Sequence, residues 1–404
     1  MGRLPIHLLL MLLAVCALVC CNRSDGSADA APEPPAPAPP AGDNPGGTSV
    51  HNSRGLPLGQ IKLPPGFAIE LYADNVPAAR ELCLSPSGVL FIGSNSAGKV
   101  YAAVDSDHDM HADEVITLAS GLHLPVGVAL LGGDLYYSQV ESVTRIPDIE
   151  KDLRHPARGI KVADFPDKEH HGWKFIAFGP DGLLYVPVGV PCNVCDEGDP
   201  YGAILRMKPD GSDRHIVARG MRNTVGFDWH PVSGEMWWTD NGRDELGDNV
   251  PPDELNMIPK GSGVDAAAPH YGFPYWHAGT IKDPDFGSKG AARERYHAPV
   301  QNLGPHVAAL GCEFYTGAQF PAEYKNQLFI AEHGSWNRSN KIGYRVTLVT
   351  DYGKRFTYSV FAEGWKQGEN VWGRPVDVEQ MPDGSLLVSD DFAGCVYRIF
   401  YKGS

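Results

Sequence analysis

Five short strings in the middle of the chain hold side chains that move protons and balance charge. His170-His171-Gly172-Trp173-Lys174 sets two imidazoles and an amine ahead of the strand-like residues 175–190. Gly220-Met221-Arg222-Asn223 adds a guanidinium and an amide; Asn241-Gly242-Arg243 and Pro252-Asp253-Glu254-Leu255-Asn256 add amides, carboxylates and accessible carbonyls. His270-Tyr271-Gly272-Phe273-Pro274-Tyr275-Trp276 adds aromatic walls. A neutral imidazole, with an ordinary pKa of about 6.5, can take a hydroxyl proton at neutral pH. Fixed cations answer negative charge that develops nearby, and oxygen donors hold a divalent cation. Together these describe a redox pocket around a polyanionic group and a metal ion.

Residues this far apart need a scaffold that gathers them, and the chain repeats one. An apolar run, a Pro-x-Gly-type turn and two strands recur. The copies centre on Pro86-Ser87-Gly88, Gly132-Gly133-Asp134, Pro180-Asp181-Gly182, Pro231-Val232-Ser233-Gly234, Lys325-Asn326-Gln327 and Pro382-Asp383-Gly384. Six copies at intervals of mostly about 45 to 60 residues predict an all-β, six-bladed β-propeller. A blade cannot bury both faces alone, so the ring must close. The extended run at residues 67–73 is expected to complete the last blade. A longer interval, residues 261–312, reads as an insertion. A β-sandwich or a pair of β domains is the competing architecture.

The chain has 404 residues, 43% of them hydrophobic, with 46 Gly and 34 Pro, which favours many turns over long helices. Its formal charge of −15 and the lack of any basic block argue against nucleic acid. Arg3 followed by the apolar residues 7–19 reads as an export signal. Cys16, Cys20 and Cys21 at its end resemble a lipoprotein signal, with the lipid on Cys21 or Cys20; simple secretion is the alternative. Residues 1–21 are thus expected to be a signal, 22–50 an Ala/Pro-rich tether, and 55–404 the folded body. That makes the protein periplasmic or otherwise in the cell envelope, touching membrane only through a lipid anchor. Cys192-Asn193-Val194-Cys195 could be a zinc half-site or redox pair. No second CxxC or neighbouring His pair completes a metal site, so a loop-closing disulfide is expected. A Cys83–Cys395 bridge across the ring closure would leave Cys312 free.

The strings His170 to Gly182, Gly220 to Asn223 and Asp253 to Asn256, with His333-Gly334-Ser335-Trp336-Asn337-Arg338 and Arg374-Pro375-Val376-Asp377-Val378, resemble the soluble quinoprotein sugar dehydrogenases. Within them the chain is most similar to the L-sorbosone dehydrogenase branch. The resemblance spans residues 60–404. It implies a six-bladed propeller holding pyrroloquinoline quinone (PQQ) and calcium at one end of the ring. The implied reaction oxidises an aldose or sugar aldehyde to the lactone or acid, a separate quinone or cytochrome then removing the electrons.

It also implies roles. The family places a His four residues before a basic residue that starts a strand, which makes His170 the general base. His171 is its rival and a substrate contact, and Lys174 stands where Arg is usual. Arg222 matches the active-site arginine, with Asn223 beside it. Arg374 and Asn241 match cofactor contacts. Relatives place a second arginine where this chain has Val376, and Arg338, Lys341 and Arg80 are the candidates to replace it. Gly242 and Arg243 would offer carbonyl oxygens to calcium, with Asp253 nearby; the inserted Asp244, Glu245 and Asp248 could ligate directly. Tyr271, Phe273, Tyr275 and Trp276 would wall the substrate.

Asp105-Ser106-Asp107-His108-Asp109 spaces carboxylates at every second residue, as in calcium loops, without the turn glycine. A solvated loop is the plainer reading. For the whole chain, a calcium-dependent lactonase or hydrolase and a non-catalytic binding propeller remain as alternatives. The hydrolase would not need several arginines facing a polyanion, and the binding propeller is consistent with the substitutions at Lys174 and Val376.

Overall fold

The computed structural model describes residues 51–351, 353 and 355–403. The expected signal and tether, residues 1–50, lie outside the described residues. Each Pro-x-Gly repeat becomes the turn between the first two strands of a four-stranded antiparallel blade, and there are six blades. Blade 1 runs Ala79–Leu84, Leu90–Ser94, Lys99–Val104, Glu114–Ser120; blade 2 runs Val128–Leu131, Asp134–Ser138, Ser142–Ile146, Ile160–Asp164. Blade 3 runs Ala177–Phe178, Leu184–Val188, Ala203–Met207, His215–Arg219; blade 4 runs Thr224–Trp229, Met236–Asp240, Pro252–Met257, Gln301–Pro305. Blade 5 is Ala309–Phe314, Leu328–Glu332, Arg345–Asp351, Phe356–Glu363. Blade 6 takes Pro375–Gln380, Leu386–Asp390 and Cys395–Tyr401 from the C-terminal end and Phe67–Ala73 as its outer strand.

That last pairing, with Phe67 opposite Tyr401 and Leu71 opposite Tyr397, closes the ring as expected. It is sealed by aromatic packing: the Phe67 ring lies 4.7 Å from Phe320 and 5.1 Å from Phe361. Edge-on contacts of this kind each contribute about 0.5–1.5 kcal/mol beyond burial. The Cys83–Cys395 bridge does not form. Both are free thiols in separate inter-blade cores, as is Cys312, and the closure is fastened by the strand pairing, the Arg398–Glu70 ion pair and packing. The expected Cys192–Cys195 disulfide is present.

The first strands of neighbouring blades lie against one another around the axis. Their inward edges have no strand to pair with, so their N–H groups need other acceptors. Carboxylates on adjacent blades supply them. Asp377 accepts from Leu82 N at 2.8 Å, Glu379 from Leu84 N at 3.0 Å, and Asp228 from Phe314 N at 2.7 Å. With Glu81 and Glu313 these line an axial cavity of about 260 Å³ that has no Lys, Arg or His in its wall. Burial raises all five: Asp228 to about 6, Asp377 to about 7, Glu379 to about 8, and Glu81 and Glu313 well above the carboxylate range.

Four inner hairpins share a register shift near the start of the first strand: Ala79/Leu82, Thr224/Phe227, Ala309/Cys312 and Pro375/Val378. A bulge re-aims the residues inside it. The second residue of each strand is Arg80, Val225, Leu310 and Val376. The three apolar ones meet, with Trp173 against them, as a plug across the axis. The fourth position of this set is a guanidinium.

Candidate active site

In an up-and-down blade, the loop after the second strand and the connection into the next blade share one face of the ring. The Pro-x-Gly turns lie on the other. Residues 170–174 and 220–223 lead into blades 3 and 4, residues 241–243 follow the second strand of blade 4 and Asp253 stands near the start of its third, so one cavity of about 390 Å³ gathers them; residues 270–276 lie instead between the third and fourth strands of blade 4. Its wall holds Arg80, His170, His171, Arg222, Asn223, Asn241, Gly242, Asp253 and Arg374 from the sequence-predicted set. It also holds Asp244, His306, His333, Trp336, Asn337 and Asp391, with Leu310 and Trp173 of the apolar plug as its floor.

The two histidines differ. His171 is buried and its Nδ1–H donates to the Val190 carbonyl at 2.9 Å, so Nε2 carries the free lone pair. Burial, then Arg222 and His170, hold its pKa down at about 2, so this imidazole stays neutral. Its backbone sits at φ 53°, a left-handed conformation maintained by close packing against Gly189, where a Cβ would stand 2.6 Å from the His171 carbonyl. His170 is exposed at the cavity wall, its ring 4.1 Å from that of His171. Burial and Arg222 lower its pKa. Lys174 does not begin a strand: blade 3 starts at Ala177. Its buried ammonium donates instead to the carbonyls of Val140 and Gly172, tying down the histidine loop, and burial lowers it to about 7.

Arg222 is buried and held in plane. Nε donates to Asn193 O at 2.8 Å, and Nη2 to Asn193 Oδ1 at 3.0 Å and Asp244 Oδ2 at 2.7 Å. Nη1 makes one long contact, 3.4 Å to Asn241 O. Of five N–H groups, one on Nη1 has no acceptor among the described residues. Asp240 fixes the backbone below, accepting from Arg222 N at 2.9 Å and Asn223 N at 2.8 Å. Across the cavity, Asp391 accepts from Arg80 Nη1 at 3.1 Å, Arg374 Nε at 3.0 Å and His333 Nε2 at 3.0 Å. These donors hold Asp391 far below the carboxylate range although burial opposes them. Among the described residues Arg80 Nε is buried without a partner, as is Asn337 Oδ1.

Gly242 and Asp253 line the cavity as expected of a cation site. Asp253 already accepts from Gly242 N at 2.9 Å and Ala309 N at 3.3 Å, and burial raises it to about 7. Asp244 is engaged by Arg222 and Asn337. Among the described residues no trio of His, Cys, Asp or Glu ligand atoms converges here. Of the residues expected to offer oxygens to calcium, Gly242 and Asp253 are at the cavity wall, and Arg243 is not among its lining residues. The Arg243 guanidinium points elsewhere, 2.6 Å from Asp283, and anchors the insertion.

Several expected contacts are corrected. Tyr271 is in the blade 3–blade 4 core, stacked edge-on to Trp238 at 4.6 Å, its hydroxyl donating to Met257 O. Trp276 belongs to the small hairpin with Ile281–Lys282 and donates to Ala291 O. Phe273 and Tyr275 are likewise absent from the cavity wall. Lys341 turns to Glu369 O at 2.9 Å, and Arg338 to Asn249 at 3.3 Å. Of the three replacements for the arginine missing at Val376, only Arg80 reaches the cavity. Trp336 does so too, 77% exposed at the mouth. Asp105, Asp107 and Asp109 bring carboxylate oxygens within 4.8 Å of one another on blade 1, away from this cavity.

The family model for Glucose / Sorbosone dehydrogenase matches residues 153–398. An uncharacterized protein of Borreliella burgdorferi is 34% identical over 358 residues, covering 85% of this chain and 91% of its own. The holo pyranose dehydrogenase PQQ domain of Coprinopsis cinerea superposes with a TM-score of 0.68 at 17% identity, over 84% of this chain and 97% of that one. A calcium structure of the Trichoderma reesei carbohydrate-active enzyme of family AA12 gives 0.71 at 18%, over 84% and 96%. At these identities the two superpositions establish the shared six-bladed fold.

Proposed function

The chain belongs to the glucose/sorbosone dehydrogenase family, and from that premise we propose a PQQ-dependent oxidoreductase that oxidises an aldose or a sorbosone-like sugar aldehyde to the lactone or acid. One observation carries the reading. In a chain of net charge −15, the cavity sets Arg80, Arg222 and Arg374 against two carboxylates, Asp244 and Asp391, engaged in charged pairs. A third, Asp253, is raised to about 7 by burial and so carries only part of a charge at neutral pH. Such a surplus of guanidinium suits a tricarboxylate, since planar N–H forks take carboxylates two bonds at a time. The orphaned Arg80 Nε and Asn337 Oδ1 are further polar atoms in want of a partner.

Arg80, Arg222 and Arg374 would hold the quinone, with the Gly242 and Arg243 carbonyls and Asp253 holding calcium beside it. The bound quinone supplies the hydride acceptor. His170 takes the substrate hydroxyl proton as the C–H bond breaks, being exposed, neutral at pH 7 and next to Arg222. His171, locked by Val190, offers Nε2 as a fixed acceptor that orients the hydroxyl. The spare N–H of Arg222 answers charge that builds at its end of the cavity. Trp336 provides an apolar face for the sugar ring at the mouth. Leu310 and Trp173 close the floor to water. A lactonase would have no use for three arginines around the site.

The N-terminal signal supports export and lipid anchoring, and the absence of a CxxCH haem string from the sequence supports a separate electron carrier. The test is dye reduction by apoprotein given PQQ and calcium, across a panel of aldoses and sugar aldehydes. Turnover that requires the quinone supports the proposal. Lactone hydrolysis with calcium alone would replace it with the hydrolase.

A further inference from the structure

The Cys192–Cys195 disulfide encloses Asn193, a residue that the mechanism above leaves without a task. Asn193 presents two oxygens to one guanidinium: its main-chain O takes Arg222 Nε and its Oδ1 takes Arg222 Nη2, at 2.8 and 3.0 Å. The same Oδ1 accepts Asp244 N at 2.9 Å, so one side chain ties the blade 3 loop to the blade 4 loop that carries the other Arg222 partner. This grip occupies the Nε/Nη2 edge and leaves Nη1 with the spare N–H. The loop itself joins Leu184–Val188 to Ala203–Met207 without regular structure, and residues 196–199 are exposed. A backbone free to sample many conformations would present both oxygens only part of the time; a covalent ring around Asn193 removes most of those alternatives.

We propose that the disulfide holds Asn193 in the pose that clamps Arg222, making Asn193 a positioning residue and confining full turnover to the oxidised protein. The inference rests on the reading that Arg222 faces the redox group. Electrostatic help in a pocket depends on donors already in place, so a guanidinium that must first be found and turned contributes less.

Three forms of the full chain are compared with wild type: Cys192→Ala/Cys195→Ala, Asn193→Ala, and wild type reduced with dithiothreitol. The dithiol gives two electrons and two protons to the S–S bond, closes to its own disulfide, and is removed before assay. The first readout needs no cofactor: exchange of the Arg222 Nε proton with water, followed by NMR and assigned with Arg222→Lys. It should be about tenfold faster or more in the double variant, with circular dichroism unchanged. The second is kinetic. With PQQ, kcat should fall about tenfold or more in all three forms, with sugar KM moving less than about threefold. Reoxidation should restore wild type, while the double variant should not respond to the dithiol. Unchanged Arg222 exchange in the double variant, or unchanged kcat in Asn193→Ala, overturns the proposal. If the double variant does not fold, the dithiothreitol-reduced wild type decides for the disulfide and Asn193→Ala for the clamp, an unchanged kcat in either overturning the proposal. If wild type shows no quinone-dependent turnover, the dehydrogenase reading fails, and the exchange measurement still judges the clamp.

Discussion

Arg80 and Arg374, from the first and last blades of the ring, share one carboxylate: Asp391 Oδ2 accepts Arg80 Nη1 at 3.1 Å and Oδ1 accepts Arg374 Nε at 3.0 Å. The pair straddles the ring closure, so the cation array at the site depends on the same blade that the strand Phe67–Ala73 completes. Arg80 also occupies in blade 1 the strand position that Val376 occupies in blade 6, the second residue of the inner strand, inside the register shift. The guanidinium absent from blade 6 is thus supplied from its neighbour.

Asp391→Asn leaves two guanidinium groups without their counter-charge, one of them buried. Breaking a buried pair of this kind costs about 3–5 kcal/mol. The cofactor-free variant should melt well below wild type, and added PQQ should raise its melting temperature more than it raises that of wild type, because the ligand's carboxylates replace the missing one. Equal melting temperatures without PQQ would contradict the shared-carboxylate account.

His170→Asn should lower kcat by about 10²–10⁴-fold while PQQ binding persists. Because burial and Arg222 hold the His170 pKa below 6.5, the imidazole is neutral through the neutral range. The wild-type rate should therefore be flat near pH 7.5 and fall only as acid protonates the ring, below the ordinary histidine range. An acid limb above pH 6.5, or an unchanged rate in the variant, assigns the base elsewhere.

The fold was legible because its signal is local: each Pro-x-Gly turn sits between strands that pair with their sequence neighbours, and several of the family strings lie in or beside loops of one face. What stayed hidden depends on geometry that sequence does not carry. The aim of Arg80 follows from a one-residue register shift. Asp391 reads as the end of a strand, since nothing in Ser389-Asp390-Asp391 tells which carboxylate turns to the axis. Nothing in Cys192-Asn193-Val194-Cys195 tells that Asn193 grips a guanidinium. An aromatic residue in a loop string reads the same whether it faces a ligand or, as Tyr271 does, the edge of Trp238.

The axial carboxylates set an unusual pH dependence for stability. In an unfolded chain Asp and Glu titrate near about 4, whereas Asp228, Asp377 and Glu379 do so at about 6, 7 and 8 in the folded protein. Between those limits the folded state binds more protons, so stability falls as pH rises. The melting temperature of the cofactor-free protein should decline from about pH 5 to about pH 8, with a shallower slope in Glu379→Gln. A rise across that window would show that these groups are ionised in the fold.

Trp336→Ala should raise sugar KM about three- to tenfold, the worth of one aromatic contact, with kcat nearly unchanged. A fall in kcat at constant KM would mean that the ring acts on the reacting centre and not on sugar binding.

The most direct test of the central claim is a calorimetric titration of cofactor-free protein with PQQ in the presence of calcium. The account predicts one quinone per chain, with affinity weakened about tenfold or more by Arg80→Leu, Arg222→Gln or Arg374→Leu. Absence of binding, or binding indifferent to all three substitutions, would contradict it.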